Sequence, residues 1–307
     1  MGSSGYIGRF APSPTGRLHM GSLLAAVASW CDARHCGGTW LVRMEDLDPP
    51  REVKGAAQDI LDTLVALGLH WDGPVVWQSK RTSRYEGALC DLESQSRVYA
   101  CCCTRRELAG QAVYPGNCRE GLPPGKEGRL KRFRMEEGHV EWEDLVLGAM
   151  SMNPLALGDF PVLRADGFWA YQLAVVVDDM EQGVTHVIRG ADLLDSTPRQ
   201  MQIWTALTAE RRGVGRSIPV YGHVPIVQNE WGQKLSKQTF AQPVRIDTAA
   251  AQILQALKWL NQDTQDDRLL RCAQANQPAA TLDRAAELWD RSAIPQAPIQ
   301  WQGRQLG

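Results

Sequence analysis

The sequence predicts an α/β fold built on a doubly wound parallel sheet. Short apolar runs alternate along the chain with segments whose apolar residues recur at helical spacing. A segment rich in cysteine, proline and glycine interrupts this alternation, which then resumes. Alternating strands and helices favour a parallel sheet, because each helix carries the chain back across the sheet before the next strand. We therefore expect one sheet that is divided in the sequence by an insertion.

Residues 1–97 supply the first part of this sheet. The helix predicted at 20–35 is the clearest element, because Leu23, Leu24 and Val27 recur at helical spacing and a glycine pair follows its end. The other elements predicted in this part are strands at 6–10, 39–45 and 75–78 and helices at 53–67 and 83–97.

The insertion is predicted at 98–169 and the rest of the sheet at 170–238. The insertion loses the helical period and contains short extended segments at 132–135 and 140–142. After it we predict helices at 170–179 and 197–207 and strands at 184–189 and 223–227. Residues 239–307 form a short helical C-terminal region, with its clearest helix at 248–260.

Composition excludes several classes of protein. The formal net charge of -2 is unlike that of a generally basic nucleic-acid coat, so any RNA contact must come from local basic patches. The sequence has no apolar run near twenty residues and no leader with a basic start and an apolar core. We therefore expect a cytoplasmic protein without a membrane partner.

The loop between the first strand and the first helix has the residue types of an anion-binding corner. Gly16 and Gly21 let a ligand approach the backbone closely, and the helix N-terminus after His19 offers unpaired N–H groups and a positive dipole end. Taken alone, the segment is more simply an ordinary strand-to-helix loop with a surface histidine.

A basic segment follows the last predicted strand. Lys234 and Lys237 lie three residues apart, and two ammonium groups suit the charge that develops on a phosphorus undergoing displacement. Together, residues 19–22 and 234–238 resemble, in order and distance, the HIGH and KMSKS signatures of class I aminoacyl-tRNA synthetases.

This resemblance implies a Rossmann-type catalytic body formed by 1–97 and 170–238. It also implies that the carboxylate of an amino acid attacks the α-phosphorus of ATP, with Mg²⁺ accompanying the nucleotide. Catalytic roles are carried over to His19, Gly21, Lys234 and Lys237, of which His19 and Lys237 would also bind ATP. Ser22 and Gln238 depart from the signatures, so no role is carried over to them.

The segment before the first signature indicates the amino acid. A substrate with two carboxylates needs two cations, and arginine is a permanently charged, bidentate partner for a carboxylate. Arg9 and Arg189 both end predicted strands, where open α/β sheets bind their ligands. Glu45 suits an α-ammonium group, and Tyr171 offers a hydroxyl to a carboxylate. For any one of these residues alone, an ion pair at a strand end or a helix cap is the simpler interpretation.

The segment 9–13 is similar to the glutamyl branch of the synthetase family. The resemblance assigns glutamate binding to Arg9, Phe10, Ala11, Pro12, Ser13, Glu45, Tyr171 and Arg189. Asp192 and the segment 197–200 also match the pattern of this branch.

Cysteines crowd into the insertion in a way that indicates metal. Cys101, Cys103 and Cys118, with Tyr114 as fourth ligand, would form a closed tetrahedral site for one structural zinc ion. His139 and Cys102 compete for the fourth position, and three reduced core cysteines are the alternative without metal.

The spacing of these residues resembles the zinc site of short members of the glutamyl branch. The resemblance makes the insertion an acceptor-binding region. Its basic residues then form a predicted RNA-facing patch, composed of Arg105, Arg106, Lys126, Arg129, Lys131, Arg132 and Arg134.

Residues 239–307 are too few for the anticodon-binding domain that full-length members of this branch carry. The resemblance therefore implies an ATP-dependent ligase, expected as a monomer. It would activate L-glutamate without tRNA and transfer it to the queuosine base of a tRNA(Asp). A truncated glutamyl-tRNA synthetase that charges a tRNA 3′ end and a non-catalytic paralogue that binds glutamate remain as alternatives.

Overall fold

The computed structural model describes residues 5–209, 217–229, 232 and 243–301. Helices and strands alternate through most of this range, so the predicted α/β class is confirmed. The segment 234–238, with Lys234 and Lys237, lies outside the described residues. Within the described part of the chain, each helix is too short or too polar to cross a membrane.

The first part of the sheet agrees closely with the sequence prediction. Strands β1 (Ile7–Phe10), β2 (Thr39–Met44) and β3 (Val76–Trp77) pair in parallel in the order β1-β2-β3. The helices of this part are α1 (Met20–His35), α2 (Ala56–Ala66) and α3 (Thr82–Ser94). Helix α1 has the predicted bounds, and the other elements differ from prediction by a few residues at their ends.

The insertion folds into antiparallel strands. Its elements are β4 (Val98–Cys101), β5 (Leu130–Phe133), β6 (Val140–Asp144), β7 (Gly148–Met152) and β8 (Phe160–Leu163). Strands β4, β5 and β8 form one sheet in the order β4-β5-β8, and β6 and β7 form a separate hairpin. The backbone N–H of Leu145 donates to the carbonyl of Tyr221 at 2.8 Å, which ties the hairpin to the parallel strands.

The chain then returns to parallel pairing. The elements are α4 (Tyr171–Gln182), β9 (His186–Gly190), α5 (Ser196–Ala209) and β10 (Val220–Val224). Strand β10 pairs with β9 in parallel, and the N–H of Thr185 donates to the carbonyl of Ile7 at 2.9 Å, beside β1. The carboxyl ends of β1, β2 and β9 therefore lie near one another.

The strand predicted at 223–227 is wrong in its bounds. Strand β10 ends at Val224, and a separate strand, β11 (Val227–Gln228), pairs in parallel with β12 (Ile299–Gln300). Pro225 lies between β10 and β11, and a proline has no N–H with which to continue the ladder.

The C-terminal region packs against the helix that opens the sheet. It contains α6 (Ala249–Trp259), α7 (Asp267–Gln274) and α8 (Pro278–Glu287). In α1, Asp32 is 1% exposed and its carboxylate accepts hydrogen bonds from Trp289 Nε1 at 2.9 Å and Arg291 Nε at 2.8 Å. Tyr6, before β1, donates its hydroxyl to the same carboxylate at 2.5 Å.

Candidate active site

Four side chains predicted to bind the amino acid converge at the carboxyl ends of the parallel strands. Arg9 lies on β1, Glu45 directly follows β2, Arg189 lies on β9 and Tyr171 begins α4. Arg189 Nη1 donates to the Tyr171 hydroxyl at 3.5 Å. Burial raises the pKa of Tyr171, and the charges of Arg189, Glu45 and Arg9 all act on the same hydroxyl. The structure therefore brings the four groups together.

A cavity of about 560 Å³ opens beside these residues, between the strand ends and the insertion. Ser13, Glu45 and Tyr171 line it together with Gln78 and Arg164. Glu45 and Tyr171 therefore face a space large enough for an amino acid and part of a second substrate, whereas Arg9 and Arg189 are buried and are not among its lining residues.

The predicted residues 10–12 contribute differently. The Phe10 side chain is buried and stacks on Trp40, with ring centroids 6.2 Å apart, so its side chain belongs to the core. The carbonyl of Pro12 accepts from the N–H of Glu45 at 3.0 Å and so fixes the turn against the end of β2. Ala11 is half-buried in the same turn.

Arg189 is held by several acceptors at once. It is 4% exposed, and its guanidinium donates from Nη1 to Gln200 Oε1 at 2.8 Å and from Nη2 to Thr197 Oγ1 at 2.8 Å. Its Nε lies 3.1 Å from His223 Nε2. Its Nη2 also donates to the Leu193 carbonyl at 3.2 Å, so each N–H has an acceptor, and the 3.5 Å contact with Tyr171 is the longest of them. A guanidinium held in this way keeps one orientation, and a substrate carboxylate would compete for it at the Tyr171 side.

A second buried group of charges holds Arg9. Asp179 accepts from Arg9 Nε at 3.3 Å and from Arg43 Nη1 at 2.7 Å, and all three side chains are buried. Arg43 Nη2 also lies 3.7 Å from Glu45 Oε1. Arg43 and Asp179 were not identified as site residues from the sequence. Each is a charged residue within an otherwise apolar strand or helix face, and this was the signal that could have indicated them.

Glu45 is a buried carboxylate with spare hydrogen-bonding capacity. Among the described residues, its Oε1 is buried and has no hydrogen-bond partner. Burial raises the pKa of Glu45 to about 7, although Arg43 and Arg9 act to lower it. An unpaired buried acceptor is costly, so an ammonium group at this point would be bound strongly.

The predicted anion-binding corner is partly wrong. His19 is the N-cap of α1, and its Nδ1 accepts from the N–H groups of Gly21 at 3.1 Å and Ser22 at 3.3 Å, so these two donors are already bonded. A cavity of about 190 Å³ remains beside them, lined by His19, Gly21, Gly190 and Asp192. The corner therefore offers side-chain and dipole contacts to a ligand rather than these two N–H groups.

The predicted metal ligands form one buried cluster. The sulfur atoms of Cys101, Cys103 and Cys118 all lie within 4.8 Å of one another. The Tyr114 hydroxyl lies 3.4 Å from Cys101 Sγ and 3.7 Å from Cys103 Sγ. Within the described part of the chain, His139 is exposed and does not join the cluster.

The spacing of the four donors fits a tetrahedral ion. Cys103 Sγ and Cys118 Sγ are 3.7 Å apart, close to the roughly 3.8 Å edge that metal–sulfur bonds of about 2.3 Å produce. The N–H of Cys118 donates to the Tyr114 hydroxyl oxygen at 2.9 Å, which stabilises negative charge on that oxygen. Cys102 Sγ lies 3.6 Å from Cys118 Sγ but is only half-buried.

The predicted RNA-facing patch is wrong at Arg132. Its side chain is 6% exposed, donates from Nε to Cys101 Sγ at 3.3 Å and lies over the Tyr114 ring at 3.8 Å. Arg132 therefore supports the cysteine cluster. Two other members of the patch are paired on the protein, Lys131 with Glu93 and Arg134 with Glu120.

The sequence is similar to proteins of known name. The family model of "tRNA synthetases class I (E and Q), catalytic domain" matches residues 7–114 and 120–252. Glutamyl-Q tRNA(Asp) synthetase of Chromobacterium violaceum is 50% identical over 312 residues, covering 98% of this chain and 99% of that protein. The protein of the same name from Dechloromonas aromatica is 48% identical over 307 residues, covering 97% and 98% of the two chains.

Solved structures show the same fold. A glutamate tRNA ligase from Elizabethkingia meningosepticum, in complex with its amino acid, has a TM-score of 0.78 at 24% identity and is matched over 97% of this chain and 67% of that chain. Glutamate-tRNA synthetase from Elizabethkingia anophelis has a TM-score of 0.79 at 23% identity, over 97% and 68% of the two chains.

Proposed function

Because the chain belongs to the family of class I (E and Q) tRNA synthetase catalytic domains, we propose that it is an ATP-dependent ligase for L-glutamate. It activates glutamate with ATP to glutamyl-adenylate, without tRNA, and transfers the glutamate to the queuosine base of tRNA(Asp). The observation that carries this proposal is the convergence of Arg9, Arg189, Glu45 and Tyr171 beside one cavity. The acceptor follows the name shared by relatives that match nearly the whole chain.

The charge of each residue determines which substrate group it binds. Arg9 and Arg189 each bind one carboxylate of glutamate, Glu45 binds the α-ammonium group, and Tyr171 and Ser13 donate to carboxylate oxygens. His19 and Gly21 contact the nucleotide, the family signature assigns the same role to Lys234 and Lys237, and Mg²⁺ accompanies ATP. No protein nucleophile is required, because the α-carboxylate itself attacks the α-phosphorus and displaces pyrophosphate while cations stabilise the developing charge. A hydroxyl of the acceptor then attacks the glutamyl carbonyl and displaces AMP.

The domain assignment rests on the change of strand pairing. Parallel strands lie in 1–97 and 170–238, which supports a Rossmann-type catalytic domain, whereas 98–169 pairs antiparallel. The insertion then contacts the acceptor RNA through its exposed basic residues, Arg105, Arg106, Lys126 and Arg129. The described part of the C-terminal region, 243–301, packs against α1.

One zinc ion is assigned to the cysteine cluster. Cys101, Cys103, Cys118 and Tyr114 would hold it with no position left for a substrate, so the ion would stabilise the insertion and take no part in the reaction. Burial raises the pKa of Cys103 to about 11, so the thiolate form needs a nearby cation.

The site of glutamate attachment tests the function. We expect labelled glutamate to be transferred to queuosine-containing tRNA(Asp) and to map to its anticodon fragment, with no transfer to queuosine-free tRNA(Asp). Label at the 3′ terminus that is independent of queuosine would instead identify a truncated glutamyl-tRNA synthetase. Absence of glutamate-dependent pyrophosphate exchange would identify a non-catalytic glutamate-binding paralogue.

The ionisation of Glu45 predicts a pH dependence. Because burial raises its pKa to about 7, the carboxyl is protonated below that pH and loses its attraction for the α-ammonium group. We expect kcat/KM for glutamate, measured by pyrophosphate exchange at saturating Mg·ATP, to be constant above about pH 7.5 and to fall about tenfold per unit below pH 6.5.

Glu45→Gln is the matched control for this profile. The variant keeps the shape of the side chain and removes its ionisation, so kcat/KM should be low and flat between about pH 5.5 and 8. The role of Glu45 is contradicted if the wild-type kcat/KM falls only near the ordinary pKa of a glutamate side chain. It is also contradicted if Glu45→Gln shows the same fall in kcat/KM as wild type.

A further inference from the structure

A buried chain of hydrogen bonds connects the insertion to the amino-acid pocket. Asp144 ends β6 in the insertion, His223 lies on β10 and Arg189 lies on β9. Asp144 Oδ2 is 2.5 Å from His223 Nδ1, and His223 Nε2 is 3.1 Å from Arg189 Nε. The three residues are 2%, 0% and 4% exposed. None of the three lines the cavity of about 560 Å³, and Arg189 connects to it through the hydroxyl of Tyr171, a lining residue, 3.5 Å from Nη1.

The neighbours of the imidazole determine where its proton lies. An ionised carboxylate only accepts, so Nδ1 must carry the proton toward Asp144. Arg189 Nε–H can only donate, so His223 Nε2 must be unprotonated to accept a hydrogen bond from it. Thr197 is compatible with this arrangement: its hydroxyl oxygen accepts from Arg189 Nη2 at 2.8 Å and lies 3.2 Å from His223 Nε2, so its proton can share the Nε2 lone pair with Arg189 Nε.

The second oxygen of Asp144 fixes the carboxylate itself. Oδ1 accepts backbone N–H groups from Val146 at 3.1 Å, Leu147 at 3.0 Å and His223 at 3.0 Å. Three donors at Oδ1 leave Oδ2 to His223 Nδ1 and prevent the group from rotating. The hairpin turn at the end of β6 therefore sets the orientation of the imidazole.

We propose that Asp144 and His223 are positioning residues that aim the Arg189 guanidinium at a substrate carboxylate. Asp144 stabilises the imidazole tautomer that has its proton on Nδ1, and the unprotonated Nε2 accepts a hydrogen bond from Arg189 Nε. This proposal rests on the proposed function only in identifying glutamate as the substrate that carries the carboxylate. It assigns the hairpin of the insertion a role in amino-acid affinity.

Asp144→Asn tests the proposal with little change of shape. Three backbone N–H groups donate at the Oδ1 position, so the oxygen of the introduced asparagine must take that position. Its NH2 group must then face His223 Nδ1. The imidazole must then accept at Nδ1 and carry its proton on Nε2, where it meets the N–H of Arg189. We expect the ring ¹⁵N chemical shifts of His223 to exchange between the two nitrogens, with the signals assigned by their loss in His223→Gln.

Glutamate affinity should change with the tautomer. In Asp144→Asn we expect the KM for glutamate in pyrophosphate exchange, and its Kd by calorimetry, to rise about tenfold, because a buried contact between two donors replaces a hydrogen bond. The KM for ATP should stay within about twofold. His223→Gln, which still offers an oxygen to Arg189, should raise the KM for glutamate less than His223→Leu does.

The control is Asp159→Asn, another buried carboxylate of the insertion. Asp159 accepts from Tyr99, Arg119 and the N–H of Met135, and it is not bonded to His223 or Arg189. This variant should lower the melting temperature and leave the KM for glutamate within about twofold.

Three results overturn the proposal: a wild-type His223 with its proton on Nε2, an exchanged tautomer with unchanged glutamate affinity, or equal changes in the KM for glutamate and for ATP. If Asp144→Asn does not fold, the wild-type tautomer and the two His223 variants still decide the question. Failure of the proposed function has a different signature, namely a wild-type protein that has the Nδ1–H tautomer but catalyses no glutamate-dependent exchange.

Discussion

Replacing Arg189 with alanine is expected to lower kcat/KM for glutamate in pyrophosphate exchange about 100- to 5,000-fold. The guanidinium is 4% exposed and bound to Gln200, Thr197 and His223, so the substrate carboxylate enters a site that water does not solvate well. Removing one member of a buried charge pair costs about 3–5 kcal/mol, which corresponds to this loss of rate. Arg189→Lys keeps the positive charge but loses the planar guanidinium, so its kcat/KM for glutamate should lie between those of wild type and Arg189→Ala.

Arg34→Ala is the control for general damage. Arg34 also makes several hydrogen bonds, to Gly38, His70 and Asp72, but it lies on the opposite part of α1 from the N-cap and away from the cavity. Its loss should lower the melting temperature and leave kcat/KM for glutamate within about threefold. If Arg189→Ala keeps glutamate exchange within about threefold of wild type, the role of Arg189 is wrong.

Replacing Cys118 with serine is expected to abolish stoichiometric metal binding and to destabilise the insertion. Binding of a structural zinc ion contributes about 10–16 kcal/mol in small metal-dependent domains, and only part of this has to be lost to melt the region. We expect wild-type protein to contain one zinc ion per chain by elemental analysis. The variant should contain almost none and melt at least about 5 °C lower in calorimetry.

Two further variants identify the ligands. Cys90→Ser, at an exposed cysteine of α3, should keep both the metal and the melting temperature. Tyr114→Phe removes only a hydroxyl and should weaken zinc binding in competition with a chelator, whereas Cys102→Ser should not. Fresh wild-type protein without zinc contradicts the metal site, and equal effects of the last two substitutions contradict Tyr114 as the fourth ligand.

Local sequence signals predicted the elements whose bounds depend on nearby residues. Helix α1 has the predicted bounds because His19 caps its start and a glycine pair follows its end. The same cap explains why the prediction of free N–H groups was wrong at Gly21, since a histidine at the N-cap can satisfy them itself. Local patterns indicate where a helix begins but not which acceptor its first donors find.

The site was predictable where strand ends carried charged residues. Arg9, Glu45 and Arg189 were placed correctly at the carboxyl ends of strands, because parallel strands bring these ends to one edge. The supporting contacts were not predictable, since Arg43 meets Asp179 across 136 positions of sequence. No periodicity indicates which buried charges will pair over such separations.

The carboxylate of Asp32 joins the beginning and the end of the described chain. Its partners Tyr6 and Arg291 lie on opposite sides of it in the sequence, and Trp289 is 257 positions away. Local opening of the segment after α8 would leave a buried carboxylate without its cation, at a cost of several kcal/mol. Hydrogen exchange of β1 and of the segment 288–294 should therefore share one cooperative opening, and removal of the chain from 288 onward would weaken the strand that carries Arg9.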